Sequence, residues 1–466
     1  MKQRKEKQIF RVYDIRGIYP ENLNEKTAER VGMATTSFLK QKYKKNSIKI
    51  ALARDNRFSS PALLSALKKG ALSAGASVID FGLTATPMLY FAVWSRGFDG
   101  GIMITASHNP PNFNGFKIVD RNADMINAKN GLKKMIFSAE NRLSETTQKR
   151  IIKKSGTGKE KKDSIIEDYI NFNLKDKDLS LLKGLKVVID TGNSSPGVLI
   201  KPLAKKVPFK IYHLFPSLKK PFPSRGLNPL ETEALASLKK AVKANKADLG
   251  IAFDGDGDRI VFVDEKGKQV PSDLISALMA EILLRENKKA SIVYTVCSSN
   301  IIKDTIRKNK GKALCSPVGY VFVKKKMKEN KALFGCEYSG HFLSKEHNFC
   351  EAPLYVILNV LKEISRRKQS LSEILKPFRQ AYFYSGIVNF RVNDKASAIK
   401  KLYEIYGKKG KVSRIDGLRI DFPKWWFSVR PSNTEDLLRT AVESSDKHLM
   451  LEKLSEIKIL LKSMAR

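Results

Sequence analysis

The chain has 466 residues, of which 42% are hydrophobic, as expected for a globular protein with several domains. Its longest apolar runs, such as residues 354–361, are too short to cross a bilayer, and no apolar segment follows the basic start, so we expect neither a membrane span nor a secretory signal. The formal net charge is +39, yet the basic residues are spread along the chain without a helix-turn-helix, zinc-finger or RNP-like motif, so we do not expect a nucleic-acid partner.

Strand-like and helix-like segments alternate along the chain, which is typical of α/β domains. Residues 48–54 are predicted to form a strand, and a helix follows from Ser60. The Gly/Lys/Ser-rich stretch 153–162 indicates a domain boundary. Strand 185–190 opens a second unit, and a closing amphipathic helix is predicted from residue 447 to residue 464.

The first loop of chemical interest, residues 105–110, follows an apolar run that reads as a buried strand. It presents Ser107 beside His108 ahead of a Pro-Pro turn, which makes the serine a candidate nucleophile. Alone, such a pair is more often a turn or a helix cap than a catalytic unit. Three further polar loops change that balance, because together they supply what phosphoryl transfer requires.

The second loop carries Asp254, Asp256 and Asp258, separated by glycines that permit a tight turn. Three carboxylates so close together would repel one another, so the spacing predicts a shared hard cation such as Mg²⁺. An EF-hand is one alternative, but its sixth position would be Arg259 instead of glycine, and the flanks are strand-like. A solvated acidic turn is the other alternative.

The third loop places Glu337, Ser339 and His341 at alternate positions. In an extended segment these side chains would point to one side, where they suit hydrogen bonding to vicinal sugar hydroxyls. His341 could also move protons near neutral pH. The alternative is a polar edge strand without a binding role.

The fourth loop runs from Arg430 through Ser432, Asn433 and Thr434 towards Arg439. An arginine offers a forked pair of donors to a phosphate, and the hydroxyl and amide side chains add further donors. The same residues could cap a following helix, whose first amides would face an anion. An ordinary helix cap near an arginine is the alternative.

In this order and at these separations, the four loops resemble those of the α-D-phosphohexomutase family, most closely its bacterial phosphomannomutase/phosphoglucomutase branch. The resemblance covers the whole chain and includes segments 10–17, 53–57 and 247–254. It implies an α/β fold of four domains around a central cleft, with three similar α/β domains that have mixed sheets and a smaller C-terminal α+β domain. The implied domains, each with one loop in the order given above, are residues 1–150, 151–268, 269–375 and 376–466.

The resemblance also implies the activity: an isomerase that interconverts hexose 1-phosphate and hexose 6-phosphate, with mannose or glucose as the sugar. Ser107 would carry the phosphate as a phosphoserine and, with Asp254, Asp256 and Asp258, bind one Mg²⁺. A hexose 1,6-bisphosphate would be the intermediate and activator. A glucosamine-phosphate or N-acetylglucosamine-phosphate mutase is the alternative within the family, and a polyanion-binding protein that keeps the fold is the alternative of another class.

Roles for the other side chains follow from the same resemblance. The candidates for proton transfer are Lys117, His341 and Arg16, with Arg259 and His108 assisting beside the phosphoserine, and the choice among them stays open. Contacts to the sugar-phosphate substrate are expected from Tyr13, Glu337, Ser339, Arg430, Ser432, Asn433, Thr434 and Arg439.

Several positions depart from the family pattern. Tyr320 stands where relatives commonly carry a histidine, Cys297 where many place a basic residue, and Asp436 where proline is usual. None of them touches the serine or the aspartates, so they affect the choice of sugar and the affinity for phosphate. The four cysteines form no CxxC pair, which predicts a reducing cytoplasm, and a monomer is the expected form.

Overall fold

The computed structural model describes residues 9–10, 13–126, 131, 158–175, 177–219, 225–432 and 437–464. The chain forms two compact units. The first comprises Met1–Gln269 and Cys350–Arg366, and the second comprises Val270–Phe349 and Arg367–Arg466. Every helix that the structure describes falls short of the length or the apolar character that a bilayer crossing requires.

The first sheet of the first unit has six strands and three accompanying helices. The strands are β1 (Ile15–Ile18), β2 (Ile48–Arg54), β3 (Ala76–Leu83), β4 (Gly100–Ile104), β5 (Phe113–Asp120) and β6 (Glu160–Lys162). They lie in the order β1-β5-β4-β2-β3-β6, in which β5 is antiparallel to both of its neighbours and the other pairs are parallel. The helices are α1 (Glu25–Tyr43), α2 (Ser60–Ser73) and α3 (Thr86–Ser95).

Strands β4 and β5 position the first candidate loop. All five residues of β4 are buried, and the strand pairs with β5 so that Met103 lies opposite Lys117. Leu67 of α2 packs in the same hydrophobic core as Ile102. Because β5 runs back beside β4, the segment that joins them is held at one end of the sheet, with Lys117 close behind it.

The second sheet of the first unit is mixed as well. Its strands are β7 (Lys186–Asp190), β8 (Lys210–Leu214), β9 (Leu249–Phe253) and β10 (Ile260–Asp264), and β11 (Gln269–Val270) follows at the boundary between the units. The order is β10-β9-β7-β8, with β10 antiparallel to β9 and the other pairs parallel. The helices of this region are α4 (Ile166–Leu174), α5 (Gly197–Ala204) and α6 (Ala236–Ala244).

The acidic loop is the turn of the β9–β10 hairpin. Phe253 pairs with Ile260, so residues 254–259 form a tight connection between two fully buried strands. Leu238 and Val242 of α6 pack in the core beneath the hairpin. The flanking strands contradict the EF-hand alternative, which needs a helix on each side of the loop.

The second unit begins with a third mixed sheet. Its strands are β12 (Ser291–Thr295), β13 (Lys312–Ser316), β14 (Phe334–Cys336) and β15 (Phe342–Ser344), in the order β13-β12-β14-β15. β12 is parallel to β13 and β14, whereas β15 is antiparallel to β14. The helices here are α7 (Ser272–Glu286), α8 (Asn300–Lys308) and α9 (Tyr320–Glu329). Next come β16 (Cys350–Glu351) and α10 (Pro353–Arg367), which fall in the first unit apart from the last residue of α10.

The C-terminal part of the second unit has an antiparallel sheet. Its elements are α11 (Leu371–Ile374), α12 (Lys376–Ala381), β17 (Phe383–Tyr384), β18 (Val388–Phe390), α13 (Lys395–Tyr406), β19 (Lys411–Ser413), β20 (Leu418–Asp421), β21 (Trp425–Pro431), β22 (Leu438–Ser444) and α14 (Lys447–Ser463). The order is β17-β22-β21-β20-β19, and β18 also pairs with β22. Three mixed sheets and a C-terminal antiparallel one confirm the predicted fold class. The domain boundary predicted at residue 150 lies outside the described residues.

Candidate active site

The loop between β4 and β5 holds the candidate nucleophile in an unusual conformation. Ser107 has a φ of 51°, a left-handed value that a serine seldom adopts, and it is only 5% exposed. Its Oγ donates to Oδ2 of Asp254 at 2.9 Å and lies 3.2 Å from Nδ1 of His108. Its amide donates to Oγ1 of Thr105 at 2.9 Å. The hydroxyl is therefore aimed at the acidic loop.

The acidic loop is buried, which contradicts the alternative of a solvated turn. Asp254 and Asp256 are fully buried, and Asp258 is 3% exposed. One carboxylate oxygen of each aspartate lies within 4.8 Å of the others. Gly255 is needed for the close approach of the two loops, since a Cβ there would lie 2.3 Å from the carbonyl oxygen of Ser107.

The three aspartates fit a hard divalent cation. Burial, followed by the neighbouring Asp258, raises the pKa of Asp254 to about 7, because both disfavour the ionised carboxylate. Oδ1 of Asp256 is buried and has no hydrogen-bond partner among the described residues. A donor set of carboxylate oxygens without sulfur or imidazole suits Mg²⁺. The cluster could therefore bind this metal.

Two basic side chains balance the acidic cluster. Nζ of Lys117 lies 2.6 Å from Oδ2 of Asp256 and 2.5 Å from Oδ2 of Asp258. Nε of Arg259 donates to Oδ2 of Asp254 at 3.0 Å. The predicted Lys117 and Arg259 thus lie at the predicted metal loop, where their charges oppose the repulsion among the aspartates.

His108 and Arg16 complete the surroundings of the serine. Nη2 of Arg259 is hydrogen-bonded to Nδ1 of His108, and burial, followed by the charges of Arg259 and Arg16, lowers the pKa of the imidazole well below its usual value. Nη2 of Arg16 donates to Asp14 at 2.6 Å, and Nη1 donates to Oδ1 of Asn109. Burial opposes the charge on Arg16, but the carboxylates of Asp14, Asp256 and Asp258 together outweigh it and raise the pKa of the guanidinium. A neutral imidazole therefore lies among permanent cations.

Sequence reasoning missed one direct partner of the cluster. Thr86, the first residue of α3, donates through Oγ1 to Oδ2 of Asp256 at 2.5 Å and through its amide to the Asp256 carbonyl at 2.9 Å. Its only local signal is a threonine before Pro87 at the start of a helix. Nothing in the sequence links position 86 to position 256. Tyr13, which was predicted to contact substrate, is half-buried ahead of β1.

The third loop, which carries Glu337, Ser339 and His341, has a different conformation from the one that its sequence predicts. Residues 337–341 form the turn of the β14–β15 hairpin, in which the Glu337 amide donates to the His341 carbonyl at 3.0 Å. The prediction of an extended segment is therefore wrong, as is the edge-strand alternative. Oε1 of the buried Glu337 accepts from the Gly319 amide at 2.7 Å, and the ring of His341 stacks on Tyr320 at 5.8 Å. Ser339 lies in the turn between them.

The fourth loop, which begins at Arg430, connects the two strands of the β21–β22 hairpin. The Ser432 amide donates to the Leu437 carbonyl at 2.8 Å, and a strand follows, so the helix-cap interpretation is wrong. Arg430 is 5% exposed, and its Nη1 lies 3.8 Å from Oδ2 of Asp416. Arg439 of β22 lies directly opposite Arg430, so both side chains leave the same face of the sheet. Asn433, Thr434 and Asp436 lie outside the described residues.

Phosphoryl transfer depends on positioning and on neutralisation of the phosphoryl charge. A serine next to a buried carboxylate cluster that suits a metal ion, in one chain with a pair of arginines on a sheet of the second unit, provides groups for both. Family models for phosphoglucomutase/phosphomannomutase match the chain in four parts. The α/β/α domain I model matches residues 7–143, domain II residues 166–267, domain III residues 271–382, and the C-terminal domain residues 387–457.

Known relatives extend this match over the full chain. A phosphomannomutase of Methanocaldococcus jannaschii is 35% identical over 97% of both chains, and one of Escherichia coli is 33% identical over 97% of this chain and 99% of its own. A solved phosphoglucomutase/phosphomannomutase family protein of Burkholderia thailandensis has a TM-score of 0.86 at 30% identity and covers 99% of this chain and 98% of its own. The chain therefore belongs to the phosphoglucomutase/phosphomannomutase family, the α-D-phosphohexomutases.

Family membership confirms the predicted class of enzyme, a phosphohexomutase and thus an isomerase. The alternative within the family has weaker support. A solved N-acetylglucosamine-phosphate mutase covers 99% of this chain, but at 14% identity and a TM-score of 0.58 it is similar in fold alone.

Proposed function

We propose that the protein interconverts the 1-phosphate and the 6-phosphate of mannose or glucose, with Ser107 as the residue that carries the phosphoryl group. The single observation behind this proposal is the contact of 2.9 Å between Oγ of Ser107 and Oδ2 of Asp254, within a buried cluster of three aspartates. A phosphate on that oxygen would lie beside the metal that the aspartates suit.

A phosphoryl group moves between Oγ of Ser107 and the sugar twice in each turnover. An oxygen of the sugar forms a new bond to phosphorus, the bond between Oγ and phosphorus breaks, and the proton of the sugar hydroxyl passes by way of a basic group to Oγ. The hexose 1,6-bisphosphate then turns around. In the return step, Oγ forms a bond to the phosphorus of the other phosphate, the bond between that phosphorus and the sugar oxygen breaks, and the proton of Oγ passes to this oxygen, which leaves the isomeric monophosphate. Asp254, Asp256 and Asp258 would hold Mg²⁺, which supplies neutralisation of the phosphoryl charge when bound.

The basic side chains of the first unit are suited to position and stabilise that charge. Arg259 and Arg16 are permanent cations, and each is held by a carboxylate, so little reorganisation is needed during transfer. Lys117 has its ammonium group between Asp256 and Asp258. Lys117, Arg16 and His341 remain the candidates for proton transfer, with His108 assisting.

The loops of the second unit are suited to recognition. Two arginines directly opposite each other on β21 and β22 place two forked sets of donors on one face of the sheet, which favours Arg430 and Arg439 as phosphate ligands. Glu337, Ser339 and Ser432 would contact the sugar and the same phosphate. Asn433 and Thr434 stay predictions from the sequence.

A coupled assay that offers mannose 1-phosphate, glucose 1-phosphate and glucosamine 1-phosphate in parallel tests this proposal. We expect turnover with one or both of the first two, together with one added phosphate in the intact mass after exposure to a hexose 1,6-bisphosphate. Preference for glucosamine 1-phosphate would move the protein to the alternative branch. Absence of turnover and of bound phosphate would refute the proposal.

Three predictions from the sequence concern the surroundings of the protein. Light scattering after size-exclusion chromatography tests the monomer, and fractionation of cells tests the cytoplasmic location. Retention on nucleic acid at physiological salt tests the prediction that the net charge of +39 has no specific polyanion partner. Strong retention together with absent turnover would favour the polyanion-binding alternative.

A further inference from the structure

One buried arginine, Arg57, donates hydrogen bonds to the backbone of the loop that carries Ser107. Arg57 is 1% exposed and lies between β2 and α2. Nη2 donates to the carbonyl oxygens of Ser107 and Asn109, both at 2.8 Å. Nη1 donates to those of Pro110 at 2.6 Å and Phe113 at 2.8 Å. A single guanidinium thus binds the backbone of the loop from the serine to the first residue of β5.

The guanidinium is itself fixed by Asp55. Nε of Arg57 donates to Oδ2 of this carboxylate at 3.1 Å, and the Arg57 amide donates to Oδ1 at 3.0 Å. The hydroxyl of Ser60 donates to the same Oδ1 at 2.5 Å. Asn114 of β5 in turn donates to the Ser60 hydroxyl at 2.9 Å. The arginine therefore has one defined position, from which its donors reach the loop.

Such a clamp matches two features of the nucleophile. The left-handed φ of Ser107 persists only where the surrounding structure over-determines it. The carbonyl of the same residue faces Gly255 of the acidic loop, where even a Cβ would not fit. A shift of the Ser107 carbonyl would therefore move the hydroxyl away from Asp254 or press the two loops together.

We propose that Arg57 is a positioning residue for phosphoryl transfer, which fixes the backbone of Ser107 so that its hydroxyl faces the acidic cluster. Arg57 acts through the loop carbonyls and does not contact the reacting atoms. The inference rests on the proposed role of Ser107 as the carrier of phosphate. It adds a residue whose donors bind four carbonyl oxygens of the loop.

The test compares Arg57→Lys with the wild-type protein in the coupled mutase assay. A lysine offers donors from one point and cannot span four carbonyls. Because a misplacement of about 1 Å can cost roughly 100-fold in rate, we expect kcat to fall about 100-fold while KM for the hexose 1-phosphate changes little. The rate at which Ser107 takes up phosphate from a hexose 1,6-bisphosphate should fall by the same factor, and added guanidinium should restore part of the activity of Arg57→Ala.

Leu67→Ala is the matched control for lost stability. Leu67 is fully buried in the core beneath the same sheet and is remote in function from the loop. We expect this variant to melt at a lower temperature and to keep its kcat in the temperature range where it is folded. A milder variant, Asp55→Asn, keeps Arg57 but weakens its anchor, and we expect a kcat loss of about tenfold if Arg57→Lys proves too unstable to measure.

The outcomes separate this inference from the proposed function. Wild-type protein without turnover and without phosphate on Ser107 would refute the proposed function itself. Active wild-type protein whose Arg57→Lys and Asp55→Asn variants keep kcat within twofold would overturn only the positioning role. The positioning role would also be overturned if their loss of activity matched that of Leu67→Ala at equal loss of stability.

Discussion

The centre around Ser107 and the arginine pair of β21 and β22 handle charge in opposite ways. Around the serine, Asp254 has Arg259 at 3.0 Å, and Asp256 has Lys117 at 2.6 Å. On the C-terminal sheet, Arg430 faces another arginine, and the carboxylate that pairs with it lies 3.8 Å away. The first arrangement is assembled before substrate binds, whereas the second is suited to receive an anion. Preorganised charge serves the chemical step, and concentrated positive charge serves recognition.

Removal of the Ser107 hydroxyl should lower the activity more than any other change to the centre around this serine. Ser107→Ala takes away the atom that carries phosphate, so we expect turnover to fall by at least about 1000-fold. Binding of sugar phosphate, measured by calorimetry, should persist because the arginine pair is untouched. Full activity of Ser107→Ala, or a phosphate that still appears in its intact mass, would contradict the assignment of this serine.

The next largest effect should come from the metal cluster. Chelation should abolish activity and Mg²⁺ should restore it, and Asp256→Asn should lower kcat by roughly 100-fold or more because a ligand charge is lost. Since Asp256 is buried and paired with Lys117, the free energy of unfolding should also fall, by about 1–3 kcal/mol.

Asp446→Asn provides the control for this substitution. Asp446 caps α14 through the Leu449 amide, so its replacement should have a small effect on stability and none on the Mg²⁺ requirement. Activity that survives exhaustive chelation would show that the acidic loop has another purpose.

The arginine pair should respond in affinity more than in rate. Arg430→Lys loses the forked donor, so we expect KM for both the 1-phosphate and the 6-phosphate to rise about 10- to 100-fold. The bisphosphate should also escape more often, which trapping of the released intermediate would measure. Arg414→Lys, on an exposed arginine that stacks over Tyr403, is the matched control and should change neither value. A defect in only one direction would mean that the loop reads one phosphate.

The smallest expected effect concerns the hydrogen bond from Thr86 to Asp256, which the sequence did not predict. Thr86→Val keeps the shape of the side chain but removes the donor to Asp256, so the Mg²⁺ concentration for half-maximal activity should rise about tenfold. Thr36→Val is the matched control, because this buried threonine donates to the Gly32 carbonyl within α1 at 2.9 Å. Equal Mg²⁺ titrations of the two variants would remove Thr86 from the metal site.

The sequence by itself determined which side chains could do chemistry and the kind of element that flanks them. The alternation of apolar strands and amphipathic helices predicted α/β domains, because burial on both faces of a parallel strand leaves a short, continuous apolar run. The number of domains and their mixed sheets were implied by the resemblance to the phosphohexomutase family. Residue type and spacing also pointed to the three aspartates, since a cluster of carboxylates on a glycine turn has few uses other than binding a cation. Ser107 was a candidate because its hydroxyl lies beside a histidine on a loop that follows a buried strand.

Only the tertiary structure decided how these groups meet. The turn at residues 337–341 and the strand after Ser432 replaced an extended segment and a helix, because hairpin pairing with a neighbouring strand outweighs local pattern. The burial of the acidic loop, the hydrogen bond from Thr86 to Asp256 and the clamp of Arg57 on the Ser107 loop join residues far apart in the chain. Spacing along one sequence carries no information about such contacts, which depend on how packed elements bring distant loops together.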